Sequence, residues 1–274
     1  MLITPDMTSA AAFKKQLAKR FDRAAVGYDR YAQFQLEVMH RLLAMLPNQN
    51  FDRIVDLGSG TGAALPLLVT QHSFSHCLAL DLSSSMLLQA RQRVQQDCPD
   101  LAHKIHYLCA DAESLPFAKA SLSLVFSNLA VQWCLQPNAL FQALYKASQQ
   151  HGYFVFTTLL SDSMPEIDLA WQGVDETNHV HQYVPRQVLQ DYLEQEGWHL
   201  ESLCHDTVRM WFDSPEQAVA SLRKVGASMV GAEQSVMSPS TWKRFLQAYE
   251  KQRQPEGIPL SYQVAFVVAQ KRAN

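Results

Sequence analysis

The chain of 274 residues is 47% apolar and 18% charged, which is typical of a packed globular core and excludes disorder, collagen and a coiled coil. Ten glycines and twelve prolines are few for this length, which disfavours a turn-rich β-sandwich. The five cysteines are odd in number and contain no C-x-x-C pair. Neither a disulfide framework nor a zinc site is therefore expected.

Charge is unevenly distributed along the chain, although the net charge is only −3. Residues 1–50 carry seven basic and four acidic residues, residues 51–200 carry seven and fifteen, and residues 201–274 carry nine and seven. The sequence pI of about 6.4 comes without a concentrated basic stripe, so nucleic acid is not an expected partner. The two basic ends are better suited to an acidic partner.

The first residues lack the charged, apolar and small-residue order of a signal peptide, and no run of about 18 apolar residues is present in the sequence. No membrane association is expected on these grounds. The expected compartment is the cytoplasm.

The spacing of apolar residues in the N-terminal region predicts two helices. Apolar residues from Phe13 to Tyr28 recur at helical spacing, with basic residues on the opposite side. A second helical stretch follows Gly27 and stops at Pro47.

From residue 51, short apolar runs alternate with helical patterns. This alternation predicts βαβ units with right-handed crossovers, and hence a doubly wound α/β fold of Rossmann-like type. The predicted strands are residues 53–57, 76–80, 105–110, 122–127 and 153–159, and the predicted helices are residues 62–71, 84–96 and 138–150.

Beyond residue 160 the regular alternation is lost. The patterns there predict helices at 185–196, 215–230 and 241–252, and strands at 199–210 and 260–269. The expected organisation is a helical lid at 1–47, a Rossmann-like core at 48–160, an insertion at 161–184, continued core at 185–212, a helical insertion at 213–256 and a last core strand at 257–274.

A glycine-rich loop, Gly58-Ser59-Gly60-Thr61-Gly62, follows the first predicted strand and precedes a helical pattern. Glycine permits a sharp turn and a close approach of the backbone to a ligand, while the following helix presents free N–H groups to a carboxylate or phosphate. The spacing fits the looser form of the dinucleotide fingerprint. The loop alone indicates a nucleotide-like ligand, with a purely structural turn as the alternative.

Two acidic residues and a polar segment lie at the carboxyl ends of the second, third and fourth predicted strands. Asp81 lies nineteen residues after Gly62, where an acid accepts ribose hydroxyls or caps the next helix. Asp111 is placed to accept from an adenine amino group, or to cap a turn. The run of residues 126–133 follows the fourth strand, at the edge of an open sheet where ligands bind.

These four motifs, in this order, resemble class I S-adenosylmethionine-dependent methyltransferases over residues 50–160. A nicotinamide dehydrogenase is disfavoured, because such enzymes rarely place an adenine-facing acid after the third strand and no His/Lys pair for hydride transfer is evident. The resemblance implies S-adenosyl-L-methionine as methyl donor, leaving as S-adenosylhomocysteine. The cofactor-binding residues it implies are Gly58, Ser59, Gly60, Asp81, Leu82, Met86, Asp111, Ala112 and Asn128.

Further stretches extend this pattern beyond the core, at residues 21–29, 127–134, 170–176, 210–212, 221–227 and 259–262. Together they resemble the malonyl-acyl-carrier-protein O-methyltransferases, the BioC family of biotin synthesis, along nearly the whole chain. The resemblance implies methylation of the free carboxyl of a malonyl thioester, on acyl carrier protein or coenzyme A. Acyl carrier protein bearing a malonyl group is then the expected partner.

Such a reaction asks little acid–base chemistry of the protein. A carboxylate is ionised at neutral pH, so neither a general base nor a metal is expected, and in-line positioning in a dry site is the main demand. The resemblance implies that the Tyr28 hydroxyl orients carboxylate or donor, with a core aromatic as the alternative. The candidates for binding the carboxylate are Arg23, Arg186 and Arg223.

In residues 179–183, Gln182 stands where a relative is expected to have arginine. An arginine that binds the substrate carboxylate is therefore not expected at this position. The nearby pair His179 and His181 is interpreted as exposed or packed histidine rather than a metal site, because no acidic or cysteine partner is evident.

Two basic groups are candidate docking faces for the carrier, with solvated helix faces as the alternative interpretation. They are Lys14, Lys15, Lys19 and Arg20, and Arg223, Lys224, Lys243 and Arg244. Two other functions stay open: a methyltransferase for another acceptor, such as a quinone precursor or small carboxylic acid, and a donor-binding protein without catalysis.

Overall fold

The computed structural model describes residues 7–174, 181–226 and 238–272, and within these ranges a seven-stranded sheet carries helices on both faces. The strands are β1 (Arg53–Leu57), β2 (His76–Asp81), β3 (Ile105–Cys109), β4 (Leu122–Asn128), β5 (Ser148–Leu159), β6 (His199–Phe212) and β7 (Ile258–Gln270). The α-helices are α1 (Met7–Ala24), α2 (Gln33–Leu43), α3 (Leu65–Gln71), α4 (Ser84–Asp97), α5 (Pro137–Ala147), α6 (Pro165–Trp171), α7 (Arg186–Gln195), α8 (Pro215–Lys224) and α9 (Pro239–Glu250).

The strand order is β3-β2-β1-β4-β5-β7-β6. The first five strands in this order run parallel, and β7 runs antiparallel to both of its neighbours. The chain winds outward in one direction from β1 and in the other from β4, so these two neighbours mark the switch point where a crevice opens at the carboxyl ends of the strands. The doubly wound α/β prediction is confirmed, and all seven predicted strands are present within a few residues.

The sheet separates two apolar layers, as expected for strands whose residues are buried on both faces. Helices α2, α3, α4, α6, α8 and α9 contribute to one layer and α5 and α7 to the other. In the second layer Phe154 and Phe156 stack with ring centres 4.2 Å apart, and Phe141 packs against both rings. Among the described residues, no helix has the length and apolarity needed to span a membrane.

The N-terminal helices differ from the prediction in one respect that matters for the site. Helix α1 ends at Ala24, and Tyr28 lies in a separate 3₁₀ turn, Ala25–Arg30. This turn contains a β-branched Val26 and Gly27, both weaker helix formers than the residues of α1. We call residues 7–30 the lid, because this segment covers the carboxyl edge of the sheet.

Several helices differ from the prediction, and the one predicted at 138–150 ends at Ala147 because β5 begins at Ser148. The helix predicted at 62–71 begins only at Leu65, because the glycine loop continues through residue 64. Helix α6 lies in the stretch 161–184, where the sequence shows no regular pattern; it has seven residues, and Pro165 begins it after Met164 in a left-handed conformation. Residues 227–230 of the helix predicted at 215–230 lie outside the described residues.

Candidate active site

A cavity opens at the carboxyl ends of β1, β2, β3 and β4, beneath the lid. The glycine loop and the ends of the neighbouring strands form its floor, while α1 and the 3₁₀ turn cover it from one side and α8 and β7 close the other. Residues from many separate parts of the sequence, from the lid to β7, therefore meet in one place. Sequence reasoning predicted the floor, whereas the far wall comes from long-range folding.

The glycines of the loop have different physical roles. Gly58 and Gly62 have positive φ values of 72° and 75°. A Cβ on Gly58 would lie 2.2 Å from the Ala130 side chain, and a Cβ on Gly62 would lie 2.7 Å from the Ala90 side chain. Gly60 also has a positive φ, 54°, but no atom lies within 4 Å of the place a Cβ would occupy. Gly60 therefore borders open space in the cavity, where a ligand can approach the backbone.

Asp81 lies beside the cavity at the carboxyl end of β2, as its position in the sequence predicted, whereas the side chain that caps the next helix is that of Ser83. The two carboxylate oxygens of Asp81 accept hydrogen bonds from the backbone N–H groups of Gly60 and Ser83, each at 2.8 Å. The side chain also lines the cavity beside Leu82 and Met86. Burial raises the pKa of Asp81 to about 6, against the opposing effect of the backbone hydrogen bonds. Each oxygen keeps a second lone pair, which suits an acceptor of ribose hydroxyls.

Asp111 lines the cavity next to Ala112, and it is also bound by the lid. Its Oδ1 accepts from Lys14 Nζ at 3.0 Å and from the Glu113 backbone N–H at 3.0 Å. Lys14 pairs with the Glu113 carboxylate as well. Because these contacts use Oδ1 of Asp111, Oδ2 stays available to a ligand such as an adenine amino group.

Lys14 belongs to the site rather than to an exposed basic face, which corrects its assignment to a docking face. Its side chain is only 13% exposed. Burial lowers the pKa of Lys14, but its interactions with Cys134, Glu113 and Asp111 outweigh this effect and leave the pKa above its ordinary value. Lys14 is therefore charged at neutral pH and offsets part of the negative charge of the two acids.

Tyr28 and Asn128 lie at the junction of this cavity with a smaller one behind the glycine loop. Burial, followed by the charges of Asp81 and Asp29, raises the pKa of the Tyr28 phenol, which keeps it a hydrogen-bond donor. The side-chain amide of Asn128 donates to the Gln35 backbone carbonyl at 3.0 Å and accepts from the Thr157 hydroxyl at 2.8 Å. Asn128 thus shapes the cavity by holding α2 against the sheet.

Three buried oxygen atoms in the smaller cavity test whether the site fits the expected donor. Within the described chain, Gln35 Oε1, Asp56 Oδ2 and Ser59 Oγ have no hydrogen-bond partner, and all three residues line this cavity. Buried acceptors without partners are costly, and a positively charged donor group compensates them. S-adenosylmethionine carries an ammonium group and a sulfonium, so the residues fit this cofactor.

None of the three arginines predicted to bind a carboxylate lines the cavity. Arg23 is exposed at the end of α1. The Arg186 guanidinium donates to the Leu203 backbone carbonyl at 3.1 Å, and that of Arg223 lies 5.4 Å from the centre of the Trp242 ring. Folding directs these side chains to other partners, which spacing along the chain does not reveal.

The far wall of the cavity contains polar residues that sequence reasoning did not assign to the site. They are Gln35, His181, Tyr183 and Tyr262, and Gln132 joins them from the run of residues 126–133, which the sequence did place at the ligand-binding edge. Tyr183 and Tyr262 occur in stretches that carried the family resemblance or adjoined it, but no local pattern distinguishes a cavity tyrosine from a core tyrosine. Gln35 stands at the start of an amphipathic helix, where a polar residue is ordinarily solvent-exposed.

Among the described residues, no three His, Cys, Asp or Glu side chains cluster as metal ligands would. His181 packs against Trp133, with ring centres 5.8 Å apart, and burial lowers its pKa. His179 lies outside the described residues.

Comparison with known proteins places this site in context. Residues 55–156 match the family model described as "Methyltransferase domain". Among solved structures, a complex described as that of the Haloferax volcanii Trm112 methyltransferase activator and the putative methyltransferase is similar with a TM-score of 0.61 and 18% identity, covering 94% of this chain and 98% of that chain. A putative methyltransferase of Bacillus halodurans gives a TM-score of 0.62 and 15% identity, over 86% and 99% of the two chains. These structures share the fold.

The similarity to curated proteins extends along nearly the whole chain. A malonyl-[acyl-carrier protein] O-methyltransferase of Marinomonas sp. is 52% identical over 272 residues, which are 99% of this chain and 98% of that protein. One from Salmonella typhimurium is 33% identical over 94% and 98% of the two chains. The biotin biosynthesis bifunctional protein BioHC of Cellvibrio japonicus is 34% identical over 95% of this chain and 51% of its own length.

The fold and the donor site define a class I methyltransferase that uses S-adenosylmethionine as methyl donor. The sequence identity with curated relatives extends beyond the common core of this class and therefore identifies one family within it. The chain belongs to the malonyl-[acyl-carrier protein] O-methyltransferase family.

Proposed function

We propose that this enzyme methylates the free carboxyl of a malonyl group held as a thioester on acyl carrier protein, an early step of biotin synthesis. The observation that carries the proposal is the 52% identity with a malonyl-[acyl-carrier protein] O-methyltransferase over 99% of the chain. The donor-binding motifs lie between residues 50 and 160, so identity of this extent also includes the lid and the insertions that border the rest of the cavity.

The charges of the reaction explain why the site contains so little acid–base machinery. The bound donor supplies an electrophilic methyl group on a sulfonium and leaves as S-adenosylhomocysteine. A malonyl carboxylate, with an ordinary pKa of about 4, is already ionised at neutral pH. The protein therefore has no proton to remove, and its tasks are to orient the carboxylate and to exclude water, since the opposite charges disappear in the displacement.

The wall away from the glycine loop suits an anionic acceptor that loses its charge. Apolar residues such as Phe34 and Ile167 dominate it, and the phenols of Tyr28, Tyr183 and Tyr262 line it. A cation would bind the carboxylate strongly in the ground state and lose that interaction in the transition state, which would raise the barrier. Neutral phenols orient the carboxylate with a smaller loss. Burial raises the pKa of Tyr183, so its phenol stays a donor.

Two basic segments that are far apart in sequence meet near the mouth of the cavity. A Cβ on Gly226, just after α8, would lie 3.0 Å from the Phe21 ring of α1. Nearby, Lys224 Nζ lies 5.3 Å from the centre of the Tyr31 ring, beyond the lid. The end of α8 therefore packs against the lid, which brings Arg223 and Lys224 of one candidate docking face close to the α1 residues of the other.

We define the basic rim as the exposed residues Lys15, Lys19, Arg23, Arg223 and Lys224. Because Leu17 and Leu222, which neighbour these residues in α1 and α8, line the cavity, the rim lies close to the cavity, on the side where we expect the acyl group to enter. Carrier proteins that bear acyl groups are strongly acidic, and complementary charge speeds and orients such an encounter. This arrangement supports the carrier-bound thioester as acceptor.

The experiment that tests the proposal uses donor labelled in its methyl group. Malonyl carrier protein, malonyl-coenzyme A, acetyl carrier protein and carrier protein alone are offered in parallel. We expect a base-labile labelled ester on the malonyl thioesters and none on the acetyl carrier, which docks alike but has no free carboxyl. Absence of label from both malonyl thioesters would refute the proposal.

A further inference from the structure

Asp29, the residue after Tyr28, joins the lid to the glycine loop. Its Oδ1 accepts a hydrogen bond from the Thr61 hydroxyl at 2.6 Å, and its other carboxylate oxygen pairs with the Arg93 guanidinium. Arg93 Nε also donates to the backbone carbonyl of Thr61 at 3.1 Å. Three residues from the lid, the loop and α4 thus form a closed triangle, which we call the Arg93 triangle.

Helix α4 is a rigid base for this triangle. It packs so closely on the glycine loop that a Cβ on Gly62 would lie 2.7 Å from Ala90 Cβ, and Arg93 lies one turn further along the helix. The N-terminus of the helix is fixed by Ser83, whose hydroxyl accepts from the Met86 backbone N–H at 3.1 Å. The Arg93 side chain is 27% exposed and is absent from the lining of both cavities.

We propose that Arg93 is a positioning residue for methyl transfer: by holding Asp29 against Thr61, it fixes Tyr28 above the glycine loop. This inference deepens the proposed function and rests on it for the turnover measurement. A guanidinium sends two directed donors to two acceptors at once, whereas a lysine ammonium is a compact charge on a flexible stem. The triangle therefore requires arginine rather than positive charge alone.

A second attachment keeps the lid in place when the triangle is broken. Asp22 Oδ1 accepts from the Ser83 hydroxyl at 2.6 Å and from the Ser85 backbone N–H at 3.2 Å, which anchors α1 to the start of α4. Loss of the Arg93 triangle is expected to loosen the 3₁₀ turn Ala25–Arg30 and to leave α1 docked. A defect confined to this turn distinguishes positioning from general unfolding.

The test compares Arg93→Lys with Arg91→Lys, an exposed arginine on the same helix. For Arg93→Lys we expect kcat for malonyl carrier protein to fall by about tenfold to a hundredfold, as small misplacements of reacting groups do. We expect hydrogen exchange of residues 25–30 to accelerate in the absence of any acceptor, while exchange of α1 stays as in the parent protein. Arg91→Lys should leave kcat and both exchange rates unchanged.

A double-mutant cycle completes the test. Asp29→Asn removes the ion pair but keeps an acceptor for the Thr61 hydroxyl, and its effect on exchange should not add to that of Arg93→Lys, because both break one unit. Parental exchange in residues 25–30 of Arg93→Lys, equal losses in Arg91→Lys, or additive effects in the cycle would each overturn the inference. If the parent enzyme methylates no malonyl thioester, the proposed function fails, and the exchange measurements still decide the role of Arg93.

Discussion

Lys14, on the first helix of the lid, donates a hydrogen bond to Asp111 across 3.0 Å, although 97 residues separate them. Asp111 follows β3 and lines the cavity, so its carboxylate joins the lid to the proposed donor site. The lid repeats this relationship at the two neighbouring strands, where Asp22 binds Ser83 after β2 and Asp29 binds the glycine loop after β1. The loops after β1, β2 and β3 are thus attached to the covering segment, and we expect donor binding to be coupled to the position of the lid.

Replacement of Lys14 by methionine tests this coupling. Lys14→Met leaves the carboxylates of Asp111 and Glu113 partly buried without their cation, and a lost charged hydrogen bond costs about 1–3 kcal/mol. We expect a lower melting temperature and weaker S-adenosylhomocysteine binding in calorimetry, by about tenfold. Lys15→Met, at an exposed neighbouring position, is the control. Parental affinity in Lys14→Met would show that the lid contact is independent of the donor site.

Tyr28→Phe separates orientation from binding. The phenol lines both cavities, and removing its hydroxyl keeps the ring and its packing. We expect kcat to fall by about tenfold or more while the dissociation constant of S-adenosylhomocysteine changes by less than about threefold, because an interaction made mainly in the transition state is lost. Initial rates and calorimetry on the same preparation measure both quantities. Equal losses in rate and binding would instead identify Tyr28 as a packing residue.

Donor binding should release a proton at neutral pH. Burial, and then the charge of Asp81, raises the pKa of Asp56 to about 8, so this carboxyl is protonated at pH 7 in the donor-free protein. A positive group beside its unpaired oxygen favours the carboxylate and lowers the pKa. Calorimetry in buffers of different ionisation enthalpy should detect release near pH 7 and little at pH 9.

Two controls identify the source of that proton. Asp56→Asn should abolish the release, and 5′-methylthioadenosine, which lacks the ammonium, should release less than S-adenosylhomocysteine. The same shift sets a stability trend: a folded-state pKa above the ordinary value stabilises the fold at low pH, and this stability is lost as the pH rises through about 8. No release by the parent protein at pH 7 would contradict the assignment of Asp56.

The floor of the site was predictable from sequence because its signals are local. The strand β1 is a short apolar run, and the loop from Gly58 to Gly62 needs backbone conformations that glycine adopts readily. Asp81 and Asp111 follow strands directly, so parallel pairing alone brings them to one edge. The fold class and the donor-binding residues depend on these neighbour relationships.

The walls of the site were not predictable in the same way. Lys14 has the spacing of a solvated basic residue, and its partners are fixed only when the lid folds over β3. Arg223 illustrates the opposite error, because its position in a family-like stretch predicts substrate contact while its guanidinium lies against Trp242. Helix α6 escaped detection because seven residues are too few to show a period.

The glycine loop offers a contrast between stability and binding. Gly58→Ala would place a Cβ 2.2 Å from Ala130 Cβ at a positive φ, so we expect a large drop in melting temperature. Gly60→Ala meets no atom within 4 Å, and its conformational cost is about 1–2 kcal/mol. We expect Gly60→Ala to remain folded and to bind S-adenosylhomocysteine poorly, since its methyl group enters the cavity. Calorimetry and thermal unfolding measure the pair, and tight binding by folded Gly60→Ala would contradict this role.

Charge reversal on the basic rim tests how the acceptor is recognised. The double variant Lys15→Glu and Lys19→Glu changes exposed residues of α1 that lie away from the donor-binding floor. We expect kcat/KM for malonyl carrier protein to fall by about tenfold at low ionic strength, and the difference to shrink as salt screens the charges. Binding of S-adenosylhomocysteine should change little, because the donor does not require a protein to dock. The matched double variant Arg223→Glu and Lys224→Glu tests the other half of the rim. If both double variants keep the parental kcat/KM at low salt, the basic rim does not bind the carrier.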